Sequence, residues 1–198
     1  MEKSILQSLK NENFFENFVH ELALSPAHNL RDVKTKTQIV GNAWEDFCCK
    51  YLINILGWSA YNLKTMDPNI LSKYNLKKRD VGIDIVAFDC KQNPIAIQCK
   101  FRRNFCKLSW RDVSTFDALA LRTGPWSKRI IMTTSKSIHR EGIIENNDLF
   151  WGKFYFETLK RHEWLKIAGC GDGQVLGTTN ANFSSQDINM LRCKHFEQ

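Results

Sequence analysis

Two short apolar runs separated by a polar turn constrain the fold of this chain more than any other feature. The runs IDIVAF and IAIQCKF stand on either side of the turn KQNP at residues 91–94. Alternating apolar residues around such a turn predict a β-hairpin, with arms at about residues 81–88 and 94–101. Both arms also carry polar side chains, which strands made for burial do not need.

The segments around the hairpin predict the rest of a mixed αβ domain. A wide apolar stripe predicts a helix over residues 37–56, with Thr37 as its N-cap. WSAYNL at 58–63 is typical of a short strand, residues 111–121 of a helix, and KRIIMTTS at 128–135 of a buried strand. The order helix, strand, hairpin, helix, strand indicates an α/β fold class with a central sheet.

Segments outside this order have weaker patterns. Helical spacing of apolar residues over 4–24 predicts one or two short helices, and residues 65–80 resemble a polar excursion. We interpret residues 136–152 as helix and loop, and residues 153–159 as a strand or a helix. A last short helix is expected over about residues 186–194.

Composition is that of a globular protein. The 198 residues are 43% hydrophobic and 25% charged, which suits one domain with room for terminal additions. No run approaches the roughly eighteen apolar residues of a membrane span, and the N-terminal residues lack the apolar segment of a signal peptide. We therefore expect no membrane partner and an intracellular location, in the cytoplasm or the nucleus.

The cysteines do not outline a disulfide framework or a zinc ribbon. There are seven, their spacing is irregular, and no C-x-x-C pair is present. Cys170, Cys193 and His195 would be an incomplete metal site even if they met in space.

Positive charge is concentrated around the hairpin. The net charge is +7. The acids between residues 77 and 111 are Asp80, Asp84 and Asp89. The basic residues of that segment are Lys77, Lys78, Arg79, Lys91, Lys100, Arg102, Arg103, Lys107 and Arg111. A basic cluster of this kind indicates a polyanionic partner or, with equal weight, a solvated charged face.

Three polar residues of the hairpin fall on matching faces. Side chains alternate along a strand, so Gln98 and Lys100 share one face of the second arm, and pairing of the arms brings Asp84 near them. One explanation is a buried Asp84–Lys100 ion pair capped by Gln98, which is a weak stabilising device. The other is a hard cation such as Mg²⁺, held by the Asp84 carboxylate, the Gln98 side-chain carbonyl and the Cys99 backbone carbonyl. Lys100 would then orient a water or stabilise charge on a phosphate.

These residues resemble a known signature. "GID" at 82–84, followed by "QCK" at 98–100, resembles the D…(D/E)-x-K motif of the restriction-endonuclease-like, or PD-(D/E)xK, nucleases. The hairpin sequence is most similar to the Mrr-like branch, in which glutamine often replaces the second acid. Residues 41–58 are similar to the first core helix of that family, whose metal-binding glutamate matches Glu45, and residues 128–135 to its core strand.

The resemblance implies a restriction-endonuclease-like core with the order αβββαβ and a central mixed sheet flanked by helices. It implies a nuclease core over 37–155, preceded by a helical extension over 1–36 and followed by a C-terminal extension over 156–198. The implied activity is Mg²⁺- or Mn²⁺-dependent hydrolysis of DNA phosphodiesters by an endonuclease of the Mrr-like restriction type or the Holliday-junction-resolving type.

The resemblance also assigns roles to side chains. Asp84, Gln98 and Glu45 would hold the metal, with Glu45 acting directly or through water, and Lys100 would position the attacking water. Cationic residues near the motif are the expected DNA contacts: Arg102, Arg103, Lys107, Arg111, Lys77, Lys78 and Arg79.

Two other classes of function stay open, and the resemblance adds partners besides DNA. One is a DNA-binding module on the nuclease fold without catalysis. The other is a non-catalytic subunit, either an accessory subunit of a helicase or other DNA-processing complex or a structural subunit whose basic patch meets RNA or an acidic protein. A homodimer and a helicase are the further candidate partners.

Overall fold

The computed structural model describes residues 1–9, 13–24, 33–79, 81–138 and 148–169. The helices are α1 (Glu2–Ser8), α2 (Phe14–Leu24), α3 (Val33–Asn54), α4 (Pro68–Lys73), α5 (Trp110–Ala120), α6 (Lys153–Glu157) and α7 (Arg161–Ala168). The strands are β1 (Ser59–Asn62), β2 (Ile85–Phe88), β3 (Pro94–Lys100), β4 (Lys128–Thr133) and β5 (Asp148–Trp151). A 3₁₀ turn, Leu63–Thr65, follows β1.

The strands form one mixed sheet in the order β1-β2-β3-β4-β5. The first three are antiparallel neighbours, whereas β3, β4 and β5 run parallel. Helix α3 precedes β1 and helix α5 connects β3 to β4, so the chain follows the order αβββαβ and adds β5 at the far edge. The predicted mixed αβ class and the predicted core order are confirmed.

Period-two alternation divides the sheet between two apolar clusters. Ile85 and Ile97 face a cluster that contains Trp44 of α3 and buried residues of α1, α2 and α7. Val86 and Ala96 face the opposite cluster, which contains buried residues of α4 and α5. Both faces of the sheet are therefore covered, which explains why the strands are apolar almost throughout.

The N-terminal helices share the core on the α3 side of the sheet. Phe15 and Phe18 of α2 make ring contacts with Trp44 and Phe47 of α3 at centroid distances of 6.3 and 4.8 Å, respectively. Ile5 of α1 is fully buried in the same cluster. The division into 1–36, 37–155 and 156–198 stays a prediction.

Three local predictions are wrong in position or type. Helix α3 begins at Val33, so Thr37 lies inside the helix and is not its cap. Residues 81–84 precede β2 instead of forming part of the first arm. Residues 148–151 form β5, because the parallel ladder to β4 stabilises a strand too short to show its own periodicity.

The segment at 65–80 is more structured than a polar excursion. The Asp67 side chain accepts a hydrogen bond from the Asn69 amide at 2.7 Å, and Pro68 occupies the first helical position of α4. This cap and proline start a helix whose flank buries Leu71 and Tyr74. The prediction missed a standard helix start signal.

Other predictions have mixed outcomes. The short strand at 58–63 and the helix at 111–121 are confirmed as β1 and α5. Residues 153–157 form a helix. The expected helix at 186–194 and the residues Cys170, Cys193 and His195 lie outside the described residues. Among the helices of the described ranges, none has the length and apolar character needed to cross a membrane.

Candidate active site

Asp84 lies immediately before β2 and is bound through both its backbone and its side chain. Its amide donates to the Ile97 carbonyl and its carbonyl accepts from the Leu63 amide, each at 2.9 Å. Its Oδ2 accepts a hydrogen bond from the Cys99 amide at 2.7 Å. The carboxylate is therefore fixed against the C-terminal half of β3, beside the 3₁₀ turn that follows β1.

Gly82 determines how the chain enters this site. Its φ of +127° is outside the range that L side chains normally adopt, and an added Cβ would lie 2.7 Å from the Thr115 carbonyl oxygen of α5. The glycine lets the backbone pass close to α5 before it turns into β2. This contact explains the glycine of the "GID" sequence.

The Asp84 carboxyl is held in an unfavourable electrostatic environment. Burial raises its pKa from 3.8 to about 6, and the hydrogen bond from the Cys99 amide opposes this rise. The nearby charge of Glu45 raises the pKa further, while Lys100 and Lys64 lower it. Acids with perturbed pKa values are concentrated at functional sites, because catalytic groups need pKa values that match their chemical task.

Glu45 reaches the site from α3 and is held by two residues near β1. Asn62 Nδ2 donates to Glu45 Oε2 at 2.9 Å. Lys64 Nζ donates to Oε2 at 3.0 Å and to Oε1 at 3.4 Å. The Glu45 side chain is only 13% exposed, whereas that of Lys64 is 57% exposed. Glu45 is thus a partly buried carboxylate with an ammonium group directly against it.

Gln98 is the most unusual polar residue of the sheet. It is 1% exposed, and neither its Oε1 nor its Nε2 has a hydrogen-bond partner. A buried amide without partners costs about 1–3 kcal/mol, and such groups in native structures require an explanation. Gln98 is next in sequence to Cys99, whose backbone amide donates to the Asp84 carboxylate.

Lys100 is half-buried at the end of β3 and does not pair directly with Asp84. Its charge lowers the Asp84 pKa, yet no ion pair joins these two described side chains. Gln98 forms no hydrogen bond to either of them. The ion-pair explanation of the three polar residues is therefore wrong, because no direct bond joins their side chains.

The side-chain and backbone atoms that these residues could offer to a metal ion are oxygens. The described residues contain no group of three or more His, Cys, Asp or Glu side chains that could hold a metal ion. Asp84 supplies a carboxylate and Gln98 an unpartnered amide oxygen. The amide and carbonyl of one strand residue face the same neighbour, so the Cys99 carbonyl is directed to the Asp84 side. A hard cation takes such a mixture of carboxylate, amide and backbone oxygens.

A basic cavity adjoins these residues. It has a volume of about 360 Å³ and lies between the first turns of α3 and the end of β3. Its cationic lining residues are Lys36, Lys100, Arg102 and Arg103, and its lining also includes Gly41. Lys36 therefore lines the same cavity as the predicted DNA contacts Arg102 and Arg103. No pattern in the sequence predicts that Lys36 lies near the hairpin.

The remaining predicted DNA contacts are distributed unequally. Arg102 forms an ion pair with Asp112 of α5, so part of its charge is already neutralised. Lys107 and Arg111 are exposed but do not line the basic cavity described here. The same is true of three residues in the segment after α4: Lys77, Lys78 and Arg79.

Sequence reasoning missed Lys64 and Asn62. Asn62 Oδ1 accepts a hydrogen bond from the Lys64 amide at 3.0 Å and so caps the 3₁₀ turn, which aims the lysine at Glu45. An asparagine after a predicted strand is a usable turn signal. Nothing in the sequence, however, indicates that this turn meets α3.

The mixed sheet, covered by helices on both faces, defines the restriction-endonuclease-like fold. A family model described as "Restriction endonuclease" matches residues 65–166, just over half of the chain, and the chain belongs to this family. The Mrr-like resemblance is thereby confirmed. The match includes Asp84, Gln98 and Lys100 but not α3 with Glu45.

Membership in this family supports a hydrolase of the nuclease class, with DNA as the substrate class. The comparisons with curated proteins and with solved structures gave no match.

Proposed function

We propose that this chain is a Mg²⁺- or Mn²⁺-dependent endonuclease that hydrolyses phosphodiester bonds in DNA. The observation that carries the proposal is the buried Gln98 amide, which has no hydrogen-bond partner and belongs to the residue next to Cys99, whose backbone amide binds the Asp84 carboxylate. A cation would give the Gln98 oxygen a partner and offset the burial and the Glu45 repulsion that raise the Asp84 pKa. Asp84, Gln98 and the Cys99 carbonyl are the proposed ligands, and Glu45 contributes directly or through water.

Asp84 and Lys100 have different proposed roles in the hydrolysis. When bound, the cation polarises a phosphate oxygen and lowers the pKa of a water. Asp84 must be ionised to take part, and its pKa of about 6 keeps it mostly ionised at neutral pH. Lys100, half-buried at the end of β3, orients the attacking water and offsets charge that develops on the phosphate. Hydrolysis by water requires no covalent intermediate with the protein.

The basic cavity is the proposed contact for the DNA backbone next to the scissile phosphate. Lys36 and Arg103 line it and are exposed, so they can meet phosphate oxygens. Arg102 is braced by Asp112 and would mainly fix the end of β3. Contacts of this kind give salt-dependent affinity without reading base sequence.

A plasmid-nicking assay tests the proposal. Wild-type protein should nick supercoiled DNA in Mg²⁺ or Mn²⁺ and stop when EDTA is added. Asp84→Ala and Lys100→Ala should abolish nicking, whereas Asp46→Ala, which removes a 51% exposed carboxylate from α3, should leave it unchanged. Nicking that survives both site substitutions would refute the assignment of these residues.

A DNA-binding module without catalysis is a second candidate. It is favoured by the absence of a three-carboxylate cluster among the described residues and by the contacts that already engage Glu45. Binding of DNA in Mg²⁺ and Mn²⁺ without any cleavage would select this candidate. Among cleaving outcomes, preference for four-way junctions over linear duplex would favour a junction-resolving enzyme. A homodimer and a helicase partner stay predictions.

A further inference from the structure

We propose that Lys64 is a built-in counter-ion that competes with the divalent cation for the Asp84–Glu45 site. The inference rests on the metal-dependent function proposed above and concerns how that site is regulated. Lys64 stabilises the metal-free site and weakens its affinity for the cation. Its removal should therefore tighten metal binding.

The contacts of Lys64 place its charge within the site. The Nζ atom lies 3.0 and 3.4 Å from the two Glu45 carboxylate oxygens and 3.1 Å from Asn42 Oδ1. Its charge also lowers the Asp84 pKa, so both acidic residues of the site experience it. One flexible side chain thus interacts with the two carboxylates that a cation would need.

The backbone of Lys64 is positioned for this role. Asn62 accepts from the Lys64 amide through Oδ1 at 3.0 Å and donates to Glu45 through Nδ2 at 2.9 Å. The same asparagine therefore fixes both the turn that carries the lysine and the carboxylate that the lysine meets. The Lys64 side chain is 57% exposed, which leaves it room to move away when another cation arrives.

Charge counting gives the direction of the effect. Asp84 and Glu45 carry two negative charges, and Lys64 and Lys100 carry two positive ones, so the site is close to neutral before a metal enters. A divalent cation then meets little net attraction, and repulsion from Lys64 adds to its cost. Because Lys64 is largely exposed, solvent weakens this repulsion, and we expect roughly a three- to tenfold change in metal affinity.

A purely structural role of Lys64 predicts the opposite result. If the lysine only held Glu45 in place, its loss would misplace a ligand and weaken metal binding. The sign of the change in affinity therefore separates competition from positioning. Catalytic rate is not needed for this distinction.

The experiment measures Mn²⁺ binding to the full chain without DNA, by electron paramagnetic resonance of the free ion. Lys64→Met keeps the aliphatic stem, and Lys64→Gln keeps a hydrogen-bond donor, so at least one should preserve the fold as judged by circular dichroism. Both should bind Mn²⁺ about three- to tenfold more tightly than the wild type. Lys64→Arg should stay close to wild type. Lys50→Met, which removes another α3-side cation paired with Asp46 at 3.6 Å, is the matched control and should have no effect.

The outcomes separate the two proposals. Wild-type binding that Asp84→Asn abolishes, together with unchanged or weaker binding in Lys64→Met and Lys64→Gln, would overturn the role of Lys64 alone. Absence of any Asp84-dependent binding in the wild type and in both variants would overturn the metal-dependent function as well. Tighter Asp84-dependent binding in the charge-removing variants, without the same change in Lys64→Arg, supports both.

Discussion

Replacement of Asp84 by asparagine should remove activity and yet stabilise the fold near neutral pH. The substitution keeps an oxygen that can accept the Cys99 amide hydrogen bond, which measures 2.7 Å in the native protein. It removes the buried negative charge that Glu45 opposes. The variant therefore keeps the hydrogen bond from the Cys99 amide but no longer places a negative charge in a buried position near Glu45.

The magnitude follows from the pKa of Asp84. Folding raises this pKa from 3.8 to about 6, a difference of about two units, and one unit corresponds to about 1.4 kcal/mol. Between pH 3.8 and about 6, Asp84 therefore keeps its proton in the folded protein but has lost it in the unfolded chain. The stability that protonated Asp84 contributes is complete below pH of about 4 and is lost as pH rises through about 6. The loss amounts to about 3 kcal/mol at most.

Urea unfolding in EDTA at several pH values between 4 and 7.5 measures this effect. Asp84→Asn and wild type should have similar unfolding free energies near pH 4, and the variant should become more stable by up to about 3 kcal/mol at pH 7.5. EDTA removes any stabilisation by bound metal. Asp46→Asn removes an exposed α3 acid and should show no comparable gain, because exposed ion pairs contribute little. A difference between Asp84→Asn and wild type that stays constant with pH, or that favours wild type at pH 7.5, would refute the electrostatic reasoning.

Three further substitutions test other parts of the site. Gln98→Glu adds a carboxylate at a position that is 1% exposed, so the urea unfolding midpoint of the variant should fall in EDTA and return in excess Mn²⁺. Equal midpoints in both solutions would contradict a cation next to Asp84. Gly82→Ala should destabilise the fold by about 2 kcal/mol or more in urea unfolding, because the new Cβ meets Thr115 at 2.7 Å and φ is +127°. A side chain added at Gly41 enters open space at the basic cavity, so Gly41→Leu should keep or raise the melting temperature. It should also weaken the affinity for a labelled DNA duplex, measured by fluorescence anisotropy, about fivefold. Unchanged affinity would exclude the cavity as a DNA contact.

The core of the fold could be predicted because its signals are local and periodic. Apolar residues recur along β2 and β3, which are buried on both faces, and the KQNP turn separates the two apolar runs. The same periodicity placed Asp84, Gln98 and Lys100 in neighbouring positions. It could not show that the chain leaves the regular ladder at Asp84, since that depends on Gly82 passing close to α5.

The rest of the candidate site depends on contacts between distant segments. Glu45 and Lys64 meet because α3 packs beside the end of β1, and their sequences contain no mark of that meeting. Lys36 joins the basic cavity for the same reason. By contrast, Asp67 and Pro68 form a local helix start signal, so α4 can be predicted from the sequence even though its surroundings are polar.

The neutral side chain at position 98 is consistent with the charges around it. Burial already raises the Asp84 pKa, and Glu45 raises it further, so a third carboxylate at a 1% exposed position would be costly without a bound cation. An amide supplies a metal-binding oxygen and adds no charge. With Gln98 neutral, Lys64 and Lys100 suffice to balance the two acids in the metal-free protein. With the metal-dependent function proposed above, Gln98 and Lys64 would be two parts of one arrangement, in which the site stays folded without metal and binds metal less strongly than a site with three acids would.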